Sequence, residues 1–152
     1  MDGRSPAQLY ALIFGVVLVA AGVLGFFYEA SFATGDDTLV ERDAVLGILD
    51  VNGWHNLVHI LSGLVGLAVV GSYASARVYA LAFGAVYILV AILGFIYGNG
   101  DSIFKLIPVN TEDNLLHVLI GVAGLGAGMA TPAEPSPTTT AASAPEAEAP
   151  AS

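Results

Sequence analysis

Four stretches of the chain carry no charged residue: positions 5–28, 51–76, 78–100 and 114–133, which are 24, 26, 23 and 20 residues long. A helix crossing the hydrocarbon core of a bilayer needs ~20 apolar residues. The pattern therefore predicts four spanning helices, over 7–28, 52–71, 77–98 and 112–130, behind a polar segment of residues 1–6. Thr131 and Pro132 intrude on the last run and make the fourth helix the shortest. Residues 131–152 hold five Pro among Ala, Thr, Ser and Glu. That composition forbids a regular helix and supplies no core, so a disordered tail is expected there.

The apolar pattern also repeats. Val51–Leu67 aligns with Val109–Leu125 at an offset of 58, with nine identities in 17 positions, among them Asn52/Asn110, Asn56/Asn114, His59/His117, Gly63/Gly121 and Gly66/Gly124. Tyr10–Tyr28 aligns with Tyr79–Tyr97 at an offset of 69, with ten identities in 19. The first run could be read as a signal peptide, with Ser31-Phe32-Ala33 as its cleavage site. A signal's apolar core is only about 7–15 residues, however, and a cleavable leader has no reason to copy an internal helix, so retention is expected. The fold expected is all-α: a four-transmembrane-helix bundle built from two tandem parallel helical-hairpin repeats, related by a pseudo-two-fold axis along the membrane normal. The loop of the first hairpin is longer by 69 − 58 = 11 residues.

Each copy carries a polar stripe. Asn52, Asn56, His59, Gly63 and Gly66 step by four, three, four and three, as do Asn110, Asn114, His117, Gly121 and Gly124; such spacing shares one helix face. Helix 1 adds Gly15, Gly22 and Gly25 and ends at Glu29, and helix 3 adds Gly84 and Gly94. Lipid is as apolar as Leu, so membrane helices associate by close approach over small residues, and these glycines are read as packing positions. Asn and His within a span are costly unless partnered and face inward. Asn56, His59, Asn114 and His117 are therefore expected in one shared layer in the outer half of the bundle, at the level of Glu29. Asn52 and Asn110 suit helix N-caps. The layer reads either as structural, each polar group pairing with a neighbour, or as a ligand or proton site. His55 has no repeat partner, since position 113 is Asp, and Trp54 beside it suits an interfacial anchor.

Composition agrees with the membrane class. Of 152 residues 56% are hydrophobic and 11% charged, with mean hydropathy +0.78; soluble domains carry about 25% charged residues. The lack of Cys excludes disulfides, thiolate catalysis and Cys-ligated metal. A net charge of −9 with four Lys and Arg argues against nucleic acid, leaving the bilayer, other membrane proteins or a second copy as partners. Nine of the 13 acids fall in loops 29–50 and 98–113. Each loop ends in an apolar piece, Ala44–Leu49 and Ile103–Ile107, expected either to lie in the interface over the bundle end or to complete the helix entry. Arg4 and Arg77 directly flank helices 1 and 3 on one side, against Arg42 and Lys105 on the other, where Arg42 sits among acids. Both termini are thus expected in the cytoplasm, in a multi-pass protein of the cell membrane.

The duplicated VN-x3-NL-x-H element within four short spans resembles the bacterial membrane family known as domain of unknown function 4383, over residues 7–128. The residues that carry the resemblance are Val51, Asn52, Asn56, Leu57, His59 and Gly63 with their copies Val109, Asn110, Asn114, Leu115, His117 and Gly121. The resemblance implies a small multi-pass bacterial protein and implies no activity. With no nucleophile–base pair or phosphate loop in the sequence, a non-enzymatic structural or accessory subunit is expected. One alternative is a small transporter or proton path through Glu29, His59 and His117. Another is a b-type haem with His59 and His117 as axial ligands, against which the nearby glycines suggest helices too close for a porphyrin. His59 and His117 without a carboxylate form a weak metal-ligand set, so no metal is assigned.

Overall fold

The computed structural model describes residues 3–39 and 44–133. Arg42, used in the orientation argument, and the expected disordered tail from residue 134 onward lie outside the described residues.

The element order is α1 (Pro6–Gly25), a 3-10 turn (Gly35–Leu39), α2 (Gly53–Val69), α3 (Tyr73–Tyr97), β1 (Asp101–Ile103), β2 (Ile107–Val109) and α4 (Thr111–Ala130). The chain is mostly helical. Helices α1, α3 and α4 are long and apolar enough to cross a membrane; α2 is apolar but has only 17 residues, about 26 Å at the usual rise per residue.

Local chemistry sets the helix ends. Ser5 and Gln8 form a capping box at the start of α1, with Pro6 in its first turn. Asn52, Ser72 and Asn110 are extended and cap α2, α3 and α4 through their side chains. Two expected boundaries move as a result. Asn52 stands outside the second helix, which covers 53–69 instead of 52–71, and the cap at Ser72 starts the third helix four residues before Arg77. Apolarity also overran the first helix, expected over 7–28. After Gly25 the amides of Phe27 and Tyr28 turn to carbonyls three residues back, and the helix closes in one tight turn.

The all-α expectation misses a small hairpin. β1 and β2 pair antiparallel, with Asp101 opposite Val109 and Ile103 opposite Ile107. Phe104 and Lys105 take left-handed φ values of 51° and 55°, which reverses the chain. In the first loop Leu46 and Gly47 do the same at 56° and 72°, inside a bridge between Val45 and Leu49. The apolar pieces Ala44–Leu49 and Ile103–Ile107 are thus two matching tight turns set before α2 and α4. The longer first loop also rests on the second: the Gly35 amide donates to the Lys105 carbonyl at 3.0 Å, and Thr38 and Ser102 share a hydroxyl hydrogen bond.

α1 packs chiefly on α2, and α3 on α4; α1 also meets α3 and α4, while α2 and α3 touch less. Glycines make the close pairs. A Cβ on Gly63 would lie 2.6 Å from the Gly15 carbonyl oxygen, and one on Gly121 would lie 2.9 Å from that of Gly84. Gly22 sits against the Asn56 carbonyl in the same way. Ala7, Tyr10, Ala11, Ala76, Tyr79 and Ala80 form the core at the opposite end from the loops. Gln8 there donates to the Val70 carbonyl at 2.9 Å and Arg77 to that of Thr131 at 2.8 Å, so each reaches an orphan group where a neighbouring helix stops. The long apolar side chains, Ile13, Leu61, Leu89 and Leu119 among them, point outward.

Candidate functional site

The polar residues gather where α2 and α4 begin, beneath the two tight turns. Asn52 caps α2 by accepting from the His55 amide at 2.9 Å, and Asn110 caps α4 by accepting from the Asp113 amide at 2.8 Å. Each Asn then uses its NH2 group on the other loop. Asn52 donates to the Leu106 carbonyl and Asn110 to the Ile48 carbonyl, both at 2.6 Å.

One to two helical turns inside the caps stand three imidazoles. His55 and His59 are four residues apart on one face of α2, with ring centroids 4.4 Å apart. His117 comes from α4, its ring 5.9 Å from that of His55 and 6.2 Å from that of His59. One ring nitrogen from each lies within 4.8 Å of the other two. His55 and His117 are buried, at 2% and 4% exposure, and His59 is half-buried. Tyr87 of α3 closes one side, its ring 5.4 Å from that of His117. The three rings border a cavity of about 70 Å³ that Ser62, Tyr87 and Ile107 also line.

Hydrogen bonding sets the His55 tautomer. Its Nδ1 lies 3.1 Å from the Asp50 carbonyl. A carbonyl can only accept, so Nδ1 carries the proton and Nε2 presents a bare lone pair. Among the described residues that Nε2 is buried without a hydrogen-bond partner, and so is Nδ1 of His117. Asp50 is held from its other side as well, its amide donating to Oδ2 of buried Asp113 at 3.0 Å.

The expected single layer divides. Asn56 and Asn114 are buried but turn towards the neighbouring helix of their own hairpin: a Cβ on Gly25 would fall on the Asn56 amide, and one on Gly94 on the Asn114 amide. Residues three apart on a helix point about 60° away from each other, so His59 can face the centre while Asn56 faces α1. Asn56 donates to the Glu29 carbonyl at 2.8 Å. The Glu29 carboxylate is not brought to the histidines, because it accepts from the Ser31 amide at 2.6 Å. Gly66 and Gly124 receive the hydroxyl ends of Tyr79 and Tyr10, which cross from one hairpin to the other.

Two members of the site escaped the sequence reading. His55 has no copy, since position 113 is Asp, but its spacing of four to His59 places both on one face. Asp113, at the equivalent position (55 + 58 = 113), reads as a loop acid and is buried. On the surface nearby, Lys105 pairs with Asp36, and its hydrogen bond and charge hold the Asp36 carboxyl below the usual range.

The model of the family described as Domain of unknown function (DUF4383) matches residues 8–130. No curated protein and no solved structure matches the chain.

Proposed function

The chain belongs to the DUF4383 family, and we propose that it is a small integral membrane protein that crosses the bilayer four times. In this reading it is a duplicated helical hairpin with both termini in the cytoplasm. It acts without catalysis, as a structural or accessory component whose outer end is locked by its own loops. The reciprocal grip of Asn52 on Leu106 and Asn110 on Ile48 carries the reading. Donors and acceptors correspond at one offset, 110 − 52 = 106 − 48 = 58, as two copies about a pseudo-two-fold axis require. The polar groups of this end mostly serve the backbone: Asn52, Asn110, Asn56, Glu29 and Asp113 all bond main-chain groups. Such bonds hold loops over a bundle. At 17 residues α2 is a short span, a mismatch that local bilayer thinning and flanking anchors accommodate at modest cost.

The geometry favours neither alternative. A proton path through Glu29 lacks its acid, whose carboxylate is held at Ser31. A haem between His59 and His117 would have to enter a cavity of about 70 Å³, where pockets for small ligands and cofactors measure about 300–1,000 Å³.

The chain has no Cys, so single cysteines at Ser31, Gly71 and Ser143 report topology cleanly. With an impermeant maleimide on intact cells, the Ser31 variant labels, and the Gly71 and Ser143 variants label only after lysis. Labelling of Ser31 and Gly71 from the same side means that α2 does not cross and overturns the four-span reading. The structural role makes its own demand: Asn52→Ala and Asn110→Ala lower the folded protein recovered from membranes, and unchanged recovery overturns it.

A further inference from the structure

We propose that His55, His59 and His117 form a binding site for a first-row transition-metal ion of the imidazole-preferring kind, zinc or copper, beneath the outer cap. Three observations meet there. The ring nitrogens of the three converge within 4.8 Å. Two of those rings carry a buried nitrogen with no hydrogen-bond partner among the described residues, Nε2 of His55 and Nδ1 of His117. The other nitrogen of His55 is fixed by the Asp50 carbonyl at 3.1 Å.

The last arrangement separates a ligand from a core histidine. A metal-bound imidazole gives its second N–H to a carbonyl or carboxylate, which fixes the tautomer and aims the free lone pair at the ion. His55 is held in that way, and its Nε2 faces no donor. A buried polar atom left unpaired costs about 1–3 kcal/mol; apart from the amide oxygens of Asn56 and Asn114, which lie against α1 and α3, the buried side-chain atoms without a partner among the described residues are these two imidazole nitrogens, and an ion would complete both. Water alone suits the site less well. The cavity of about 70 Å³ admits it, but Phe83, Val86 and Val90 form much of the wall, and a buried water needs 2–4 polar partners.

Ligand chemistry narrows the ion. Three neutral imidazoles with no thiolate and no carboxylate exclude the hard ions Ca2+ and Mg2+, which want oxygen, and suit Zn, Cu, Co or Ni. At a Zn–N bond of ~2.0–2.1 Å, tetrahedral ligand nitrogens stand about 3.4 Å apart. Binding therefore draws the trio together by somewhat over 1 Å from its widest separation of 4.8 Å. His59 is the least buried member of the trio. The cavity that the three rings border would leave a fourth position for water or a small anion. Asp113 is the buried carboxylate nearest in the bonding, linked to His55 through Asp50.

The test uses full-length protein without a polyhistidine tag, chelator-stripped and held in lipid nanodiscs. The chain's three histidines are these three, so there is no background imidazole. Titration with Co2+ should give visible tetrahedral bands that saturate at one ion per chain. Zn2+ should bleach them, and a parallel titration with Cu2+ and reduced copper ranks the two metals. His55→Gln, His59→Gln and His117→Gln should each weaken binding by more than the ~10–100-fold that loss of an outer partner costs. Asp113→Asn, which keeps an acceptor for the Asp50 amide and does not touch a histidine, should weaken binding by less than that range. Absence of saturable binding by the wild type, or binding retained when all three histidines are replaced, overturns the proposal; the second result would place the ion on the acidic loops. If a variant fails to fold, X-ray absorption on the wild-type complex counts imidazoles directly: three support the site and fewer overturn it. None of these outcomes bears on the labelling experiment, so the site and the four-span reading fail separately.

Discussion

His55 and Asp113 hold the two backbone polar groups of the same residue, Asp50: the imidazole donates to its carbonyl at 3.1 Å, and its amide donates to the carboxylate at 3.0 Å. They occupy equivalent places in the two VN-x3-NL-x-H elements, 55 + 58 = 113. The two copies of the motif thus differ in residue type where the chain entering α2 has to be tied down, and each supplies the group that the other end of Asp50 needs.

Removing Asp113 tests that tie. Asp113→Leu removes the carboxylate that accepts from the part-buried Asp50 amide at 3.0 Å, a loss of up to about 1–3 kcal/mol. Asp113→Asn retains a carbonyl oxygen at the same place and costs less. Thermal unfolding in one detergent, followed by circular dichroism, separates the two. Equal melting temperatures for both variants would show that the Asp50 contact contributes nothing to stability.

The two capping asparagines each do two jobs, and truncation removes both. Loss of an N-cap costs about 0.5–2 kcal/mol. Each change also orphans a loop carbonyl, that of Leu106 for Asn52→Ala and that of Ile48 for Asn110→Ala. Asn52→Asp and Asn110→Asp keep the cap and lose the donor. Their stability should fall between wild type and the Ala variants, and hydrogen exchange should rise at the opposite loop. A rise confined to the mutated helix would mean that the loops are not exchanged in the way the bonds indicate.

Glycine substitutions should sort by what their Cβ meets. Gly25→Ala and Gly94→Ala drive a methyl into the buried amides of Asn56 and Asn114, whereas Gly71 and Gly126 have open space. Overpacking costs about 1–3 kcal/mol. The first pair should lose folded yield and melting temperature, and Gly71→Ala and Gly126→Ala should remain near wild type. Comparable losses in all four would remove the packing account.

Much of this was legible in the sequence, for reasons that particular residues show. Absent charge marked the four helices because uncharged apolar runs of about 20 residues have the length and composition of helices able to span a bilayer. Asn52 and Asn110 showed as caps because a short polar side chain directly before an apolar run has few other uses. Close approach at Gly15/Gly63 and Gly84/Gly121 followed from small residues at helical spacing. The rest failed where local pattern is ambiguous or where identity between copies was taken as the guide. Ile103–Ile107 is too short an apolar run to tell a helix entry from a hairpin, and two left-handed residues, Phe104 and Lys105, decided it. Glu29 stood at the right level, but the turn after Gly25 carried its carboxylate to Ser31. His55 has no copy, so the repeat does not mark it, and only its spacing of four from His59 does.

The tyrosines supply the sharpest test of how the two hairpins meet. Tyr79 of α3 donates to the Ser62 carbonyl of α2 at 3.1 Å, and Tyr10 of α1 to the Ile120 carbonyl of α4 at 3.3 Å. Both acceptors lie within helices and also serve their own ladders, so Tyr79→Phe orphans nothing and should cost only ~0.6 kcal/mol, the average for hydrogen bonds between membrane helices. Gly66→Ala should cost more, because its Cβ would stand 2.7 Å from the Tyr79 hydroxyl oxygen. Deleting that hydroxyl removes the nearest obstacle and leaves Cζ at 2.9 Å and the Ala11 carbonyl at 3.1 Å. The double variant Gly66→Ala/Tyr79→Phe should therefore be more stable than the two single losses added together, though still below wild type. The equivalent cycle at Gly124 and Tyr10 should show the same sign with a smaller rescue, since the Tyr10 Cζ stands as close as its hydroxyl, at 2.8 Å, and the Ala80 carbonyl follows at 2.9 Å. Strict additivity in both cycles would mean that the glycines are not there to admit the tyrosines, and that the contact between the hairpins is made elsewhere.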